Sequence, residues 1–306
     1  MPRALISGVL IAALAGAAVA QVPPAEPAPQ EPPATQLEDI LVAPDGLEEL
    51  AREFVDSLAA PARGRGLARW EDEVCLGVVN FRTQAAHQLI DHISTVAEDI
   101  GVELDEPGCD PNVLIVGTAD GQALAAALVD RRRSEFRYGY TRSNRGARAL
   151  EVFRTSQAPI RWWHVSLLYN TETGGIAMRL PGRLPPTLPT SGRCLQRLGG
   201  AERCDAITDR LMRSVIIVDI AALPDVSFTQ LGDYLAVLAL AQVEPETDYA
   251  VFDTVLNLLA DPQGVTGLTE WDRNYLRALY AGESQRLDPE EQAEALAERM
   301  RAGSAD

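Results

Sequence analysis

Ser227-Phe-Thr-Gln-Leu-Gly-Asp-Tyr-Leu-Ala-Val-Leu-Ala-Leu-Ala-Gln-Val243 is the stretch around which the chain is organised. Ser227 and Gln230 stand at the spacing of a capping box, in which each side chain satisfies an N–H left without a partner at the start of a helix. The pattern predicts a helix beginning here. From Leu231 onward nearly every position is apolar, around the whole circumference rather than along one stripe, which is the composition of a helix in the middle of a domain. Its interior polar exceptions are Asp233 and Gln242.

Immediately upstream, Ser214 to Ile220 is the clearest buried strand of the chain, joined to the helix through Leu223-Pro224-Asp225. Downstream, Thr254 to Leu259 is followed by the turn Asp261-Pro262-Gln263-Gly264. A last structured helix then opens at Leu268 and runs through Leu276, Leu279 and Tyr280, with Thr269 as its cap and Asp272 as the acid three positions on. Toward the N-terminus, Leu47, Leu50, Ala51, Phe54, Val55 and Leu58 recur at helical spacing, predicting a helix over Gly46 to Ala59 that ends at Pro61 and Gly64-Arg65-Gly66. Val74 to Val79 reads as a strand, Leu89 to Ile100 as a helix stopped by Gly101, and Asn112 to Gly117 as a second strand. The unbroken apolar run of that second strand predicts a sheet covered on both faces. A helix from Gln122 to Arg132 follows. Arg161 to Tyr169 predicts a strand, turned at Gly174-Gly175 into a second arm from Ile176 to Leu180. Alternation predicts one of Trp162 and Trp163 buried and the other exposed, either as edge packing or, for Trp163, beside a groove. Pro181 to Gly192 is turn-rich and irregular. Strands alternating with helices over the first two thirds predict an α/β (α+β) domain, a mixed, mostly parallel sheet packed on helices, with a small helical C-terminal part.

The composition, 46% hydrophobic and 23% charged over 306 residues, is that of an ordinary globular protein. Arg3, the apolar run Ala4 to Ala20 and its small-residue end Ala18-Val19-Ala20 match a secretory signal with cleavage after Ala20. This predicts a periplasmic or secreted protein with no transmembrane anchor after cleavage. Gln21 to Gln36, with Pro23, Pro24, Pro27, Pro29, Pro32 and Pro33, reads as an extended tether. The expected organisation is signal 1–20, linker 21–36, one domain 37–286 and a charged, Ala-rich tail 287–306. Four cysteines in an exported chain suggest two bridges. Three pairings are open, and Cys75–Cys109 with Cys194–Cys204 is the most local, contributing about 4 and about 3 kcal/mol by loop closure. A metal site on these cysteines lacks a C-x-x-C pair or a neighbouring His. The formal net charge of −17 argues against a general affinity for nucleic acid. Locally, Arg131, Arg132, Arg133, Arg137, Arg142, Arg145 and Arg148 form a basic island, either a solvated helix end or a contact with an anionic envelope surface or acidic partner. His87 and His92, five positions apart on one helix, face differently and cannot share a metal, and both read as surface or satisfied histidines.

The C-terminal third resembles the zincin metallopeptidases, in particular the matrixin-like metzincins. Their zinc helix H-E-x-x-H-x-x-G-x-x-H is followed by a turn containing Ser-x-Met and a helix opened by Leu-Ser and closed by Leu-Tyr-Gly. Gly232 to Gln242 occupies the same length, Thr254-Val255-Leu256 stands at the turn, and Leu268-Thr269, Asp272, Leu276 and Leu279-Tyr280 stand at the closing helix. The chain also looks like a group of exported bacterial proteins sharing this ending. The resemblance spans Ser214 to Gly282 and implies a zincin-like fold. Carried over by position, the three zinc ligands become Gly232, Ala236 and Gln242, the general base becomes Asp233, and the turn methionine becomes Leu256. Catalytic zinc needs three protein donors and an open position for water. Two of the three positions have no side-chain donor, so no metal and no other cofactor is expected.

Two functions follow as expectations. One is a non-catalytic exported domain on a metallopeptidase-like scaffold, acting in binding or structure at the envelope through Arg131, Arg132 and Arg133. The other is a hydrolase using a non-metal site in the same groove, built from Asp233, His164 and Gln242, with Glu244 as a further candidate and Trp163 as a further lining residue of the groove. No Gly-x-Ser-x-Gly elbow, P-loop or dinucleotide fingerprint is present.

Overall fold

A long strand and the capped apolar helix behind it form the spine of the computed structural model. It describes residues 44–58, 66–137, 145–170, 175–176, 195–196, 202–203, 207–281 and 289–303. The order is α1 (Pro44–Leu58), β1 (Leu76–Val79), α2 (Thr83–Asp99), β2 (Val113–Thr118), α3 (Gly121–Phe136), α4 (Gly146–Thr155), β3 (Ile160–Asn170), β4 (Gly175–Ile176), β5 (Leu195–Gln196), β6 (Glu202–Arg203), β7 (Ile207–Asp219), α5 (Phe228–Leu240), a 3-10 turn Val255–Asn257, α6 (Glu270–Ala281) and α7 (Pro289–Gly303). The fold is mixed α/β. Its five-stranded sheet runs β1-β2-β7-β3-β4, with β5 and β6 pairing separately.

β1, β2 and β7 are parallel, with Val113↔Ser214 through Thr118↔Asp219 in register. β3 runs antiparallel to β7 from Ile160↔Val218 to Asn170↔Ile207. Its register shifts between Val165 and Ser166, which skips Met212 on β7. The two-residue β4 pairs antiparallel with the end of β3, so four of the five strands point one way.

The sheet is covered on both faces. On one, Val113, Ile115, Ile160, Trp162, Ile216 and Val218 meet α1, α2, α5, α6 and α7 in a single apolar core. Phe54 of α1 lies edge-on to Phe252, Trp271 and Tyr275, with centroids 5.0, 5.6 and 5.5 Å away. On the other face, Trp163, Val165 and Ile217 meet α3 and α4. α5 begins as its sequence requires. Ser227 Oγ accepts from Gln230 N–H at 3.1 Å, and Gln230 Oε1 accepts from Ser227 N–H at 2.7 Å. Every residue from Leu231 to Leu240 is buried, and each large aliphatic side chain so buried is stabilising by about 2 kcal/mol.

Several expectations need correction. Both tryptophans are buried, Trp162 at 7% and Trp163 at 2% exposure. Alternation places them on opposite faces, but helices cover both faces here. Each indole N–H finds a backbone carbonyl, Trp162 on Val243 at 2.8 Å and Trp163 on Phe136 at 2.9 Å. The first strand starts later than expected, at Leu76, while Val74 makes an isolated parallel bridge with Leu104. α3 runs on to Phe136 with a kink at Arg132, and α4 was not foreseen. α7 packs through Ala293, Leu296 and Met300 into the main core, and Gln292 Oε1 accepts from Leu67 N–H at 2.8 Å. The C-terminal segment is therefore part of the domain rather than an appendage to it.

Cys75 and Cys109 form a disulfide with Cα atoms 6.0 Å apart, tying the entry to β1 to the loop before β2. Cys194 and Cys204, the second arm from 177 to 180, and the signal and linker segments lie outside the described residues. No helix among the described residues is long and apolar enough to cross a membrane.

Candidate functional site

Position 232 has no side chain, and the space beside it is taken by another helix. α2 and α5 pack side by side, and a Cβ built on Gly232 would lie 2.7 Å from Cδ2 of His92 and 3.1 Å from its Cγ. The imidazole thus lies flat on the α5 backbone, a contact only glycine permits. From there His92 Nε2 reaches Asp233 Oδ1 at 2.7 Å. The second oxygen of Asp233 accepts the Leu268 N–H at 3.0 Å. Gly267, with φ +149°, turns the chain against this carboxylate where a Cβ would collide with Oδ2. The His92 side chain keeps 30% of its exposure and Asp233 keeps 11%.

The neighbouring loop is held to α5 by the same turn. Gln230 Nε2 donates to the carbonyls of Pro262 at 3.1 Å and Val265 at 2.5 Å. Thr254, at the turn, donates to Asp272 Oδ1 at 2.5 Å, and Val255 N–H donates to Asp272 Oδ2 at 2.8 Å. Thr269 completes the reciprocal cap, its N–H and hydroxyl donating to Asp272 Oδ2 at 3.0 and 2.8 Å while its oxygen accepts from Asp272 N–H. Burial pushes the Asp272 carboxyl upward, and these donors pull it back only in part.

The structure places the four residues expected to share a groove as follows. His164 is buried on β3 with Nε2 donating to the Leu238 carbonyl at 2.8 Å. Burial lowers its pKa to about 4, against that hydrogen bond and aided by the charge of Arg145, so it is neutral at pH 7. Trp163 lies on the opposite face of the sheet. Gln242 is buried beyond the end of α5. Asp233 hydrogen-bonds His92 and Leu268, and among the described residues it shares no hydrogen bond with His164, Gln242 or Trp163. Glu244 is engaged by Arg145 in an ion pair.

That pairing also divides the arginine island. Arg145 is turned inward, whereas Arg131, Arg132, Arg133, Arg137 and Arg148 are exposed. Arg142 lies outside the described residues.

His87 is exposed and His92 is satisfied, in keeping with the expectation for each. The spacing of the two histidines on α2 carries no sign of the pairing of His92 with Asp233, which lies on another helix. A glycine beside an aspartate in an otherwise apolar helix was the available signal.

The donor set does not fit zinc. Gly232 and Ala236 offer no donor, Ala236 is 0% exposed and Gln242 5%. Among the described residues no three His, Cys, Asp or Glu side chains converge. Comparisons with protein families, curated proteins and solved structures find no match.

Proposed function

We propose that this chain is an exported, non-catalytic domain on a zincin-like scaffold whose zinc position has been closed, serving as a binding or structural module of a bacterial envelope. The observation that carries this reading is His92, whose imidazole covers Gly232 and bonds Asp233. The first ligand position of the resembled helix is thereby occupied by another residue's ring, and its general-base position is committed to that ring. The order of elements supports the scaffold. A buried strand leads into the capped helix, and a turn tied through Thr254 to Asp272 of α6 follows.

The test is zinc content after purification together with hydrolysis of a broad peptide library. No stoichiometric zinc and no cleavage is the expected outcome. Stoichiometric zinc with cleavage overturns the reading.

A further inference from the structure

β3 and β7, with 11 and 13 residues, are far longer than β1 and β2, with 4 and 6. Their shared ladder therefore runs past the C-terminal end of α3. The face that begins with Trp163 and Val165 under α3 and α4 continues along β3 as Leu167 and Tyr169. There it becomes the floor of an open cleft of ≈ 160 Å³, completed by Met212, Ile176, Glu135 and Arg213. Ile176, on the short β4, is 57% exposed.

The rim is cationic in a chain of formal net charge −17. Glu135 is its one acid among the lining residues. It is shared by Arg132 at 2.9 Å and Arg213 at 3.1 Å, whose side chains keep 67% and 46% of their exposure. Arg131 precedes the kink of α3 at Arg132 and is exposed. The rim thus carries two guanidiniums to one carboxylate. Arg210, paired with Asp72 at 3.7 Å, lies 5.1 Å over the Tyr169 ring.

We propose that this end of the sheet is a docking surface for anionic phospholipid membrane, which rests on the reading of the chain as an envelope module. The planar guanidinium fork matches phosphate oxygens. An exposed isoleucine beside a tyrosine suits the boundary between headgroups and acyl chains. A cationic rim around an apolar floor is the complement of a surface that presents phosphate outside and hydrocarbon beneath.

The experiment is vesicle flotation of the exported form beginning at Gln21, which keeps the whole compact unit 42–306. Vesicles contain phosphatidylglycerol with phosphatidylcholine, or phosphatidylcholine alone. The protein is expected to float with the anionic vesicles only, and to be released by high salt. R132Q/R213Q is expected to weaken this by about thirtyfold, and I176D by about tenfold, with thermal midpoints little changed because all three residues are exposed. Failure to float, equal binding to neutral vesicles, or flotation untouched by either variant overturns the proposal. So does retention on an acidic polypeptide with no retention on vesicles. Zinc content and hydrolysis are read separately, so the closed-site reading and the membrane proposal fail independently.

Discussion

Gly232→Ala is the sharpest probe of the contact between His92 and α5, because two physical effects predict opposite signs. Alanine is favoured over glycine in a helix interior by about 1 kcal/mol, and Gly232 lies within α5. On propensity alone the variant would be more stable. The new Cβ, however, would stand 2.7 Å from His92 Cδ2, whereas apolar atoms settle at about 3.5–4 Å. The ring must retreat by about 1 Å, which breaks its 2.7 Å bond to Asp233. Loss of a hydrogen bond to a carboxylate, discounted for the 30% exposure of the His92 side chain, costs about 1–2 kcal/mol, and residual overpacking adds about 1 kcal/mol. The net expectation is destabilisation by about 1–2 kcal/mol, or a midpoint lower by about 2–6 °C. In a His92→Ala background the obstruction is gone and the same substitution should stabilise by about 1 kcal/mol. Urea denaturation of wild type, both single variants and the double variant gives the coupling, expected at about 2–3 kcal/mol. A stabilised Gly232→Ala single variant, or coupling below about 0.5 kcal/mol, would refute the contact.

Three other outcomes follow from the fold. His164, with its pKa lowered from 6.5 to about 4 by burial, binds its proton less readily in the folded chain than in the unfolded one. Its contribution is complete above about pH 6.5 and is lost as pH falls toward 4, by about 3 kcal/mol; denaturant titrations across that window should show a shallower pH slope for His164→Gln, and an unchanged slope would refute the assignment. Opening the Cys75–Cys109 bridge, which closes a separation of 34 residues, should cost about 2–4 kcal/mol, read as the denaturation midpoint of Cys75→Ser/Cys109→Ser against wild type. Asp272→Ala leaves Val255 N–H and Thr269 N–H without their acceptor and should cost about 2–4 kcal/mol, whereas Asp272→Asn keeps one acceptor oxygen and should cost less by circular-dichroism melts.

What was legible in the sequence was whatever local patterning dictates. The capping box and the all-round apolar composition placed α5 and its burial, and the run from Ser214 to Ile220 placed the strand before it. α4 escaped notice because it is ten residues long and follows an arginine-rich stretch, so that Leu150 and Phe153 are its only fully buried apolar residues. The tryptophans show a different limit. Period-two alternation says which face a side chain takes, not whether another layer covers that face. Trp163 is buried because α3 and α4 lie over it, and nothing within β3 announces them. The candidate groove shows the same limit, because spacing along α5 and β3 does not say what each side chain bonds: Asp233 takes His92 of α2 and His164 takes a carbonyl of α5.

His92, Gly232 and Asp233 form one specified arrangement. Here the missing side chain at 232 is the space that the His92 ring occupies, and the carboxylate at 233 is the acceptor that holds the ring in place. The other oxygen of that carboxylate anchors Leu268, next to Gly267, whose positive φ brings the loop close enough for the bond. Five positions on three segments, His92, Gly232, Asp233, Gly267 and Leu268, therefore depend on one another. Gly232 would be an unfavourable helix residue without His92, and His92 would lack its seat with any other residue at 232. An imidazole placed at 232 would have to expel the one already lying there.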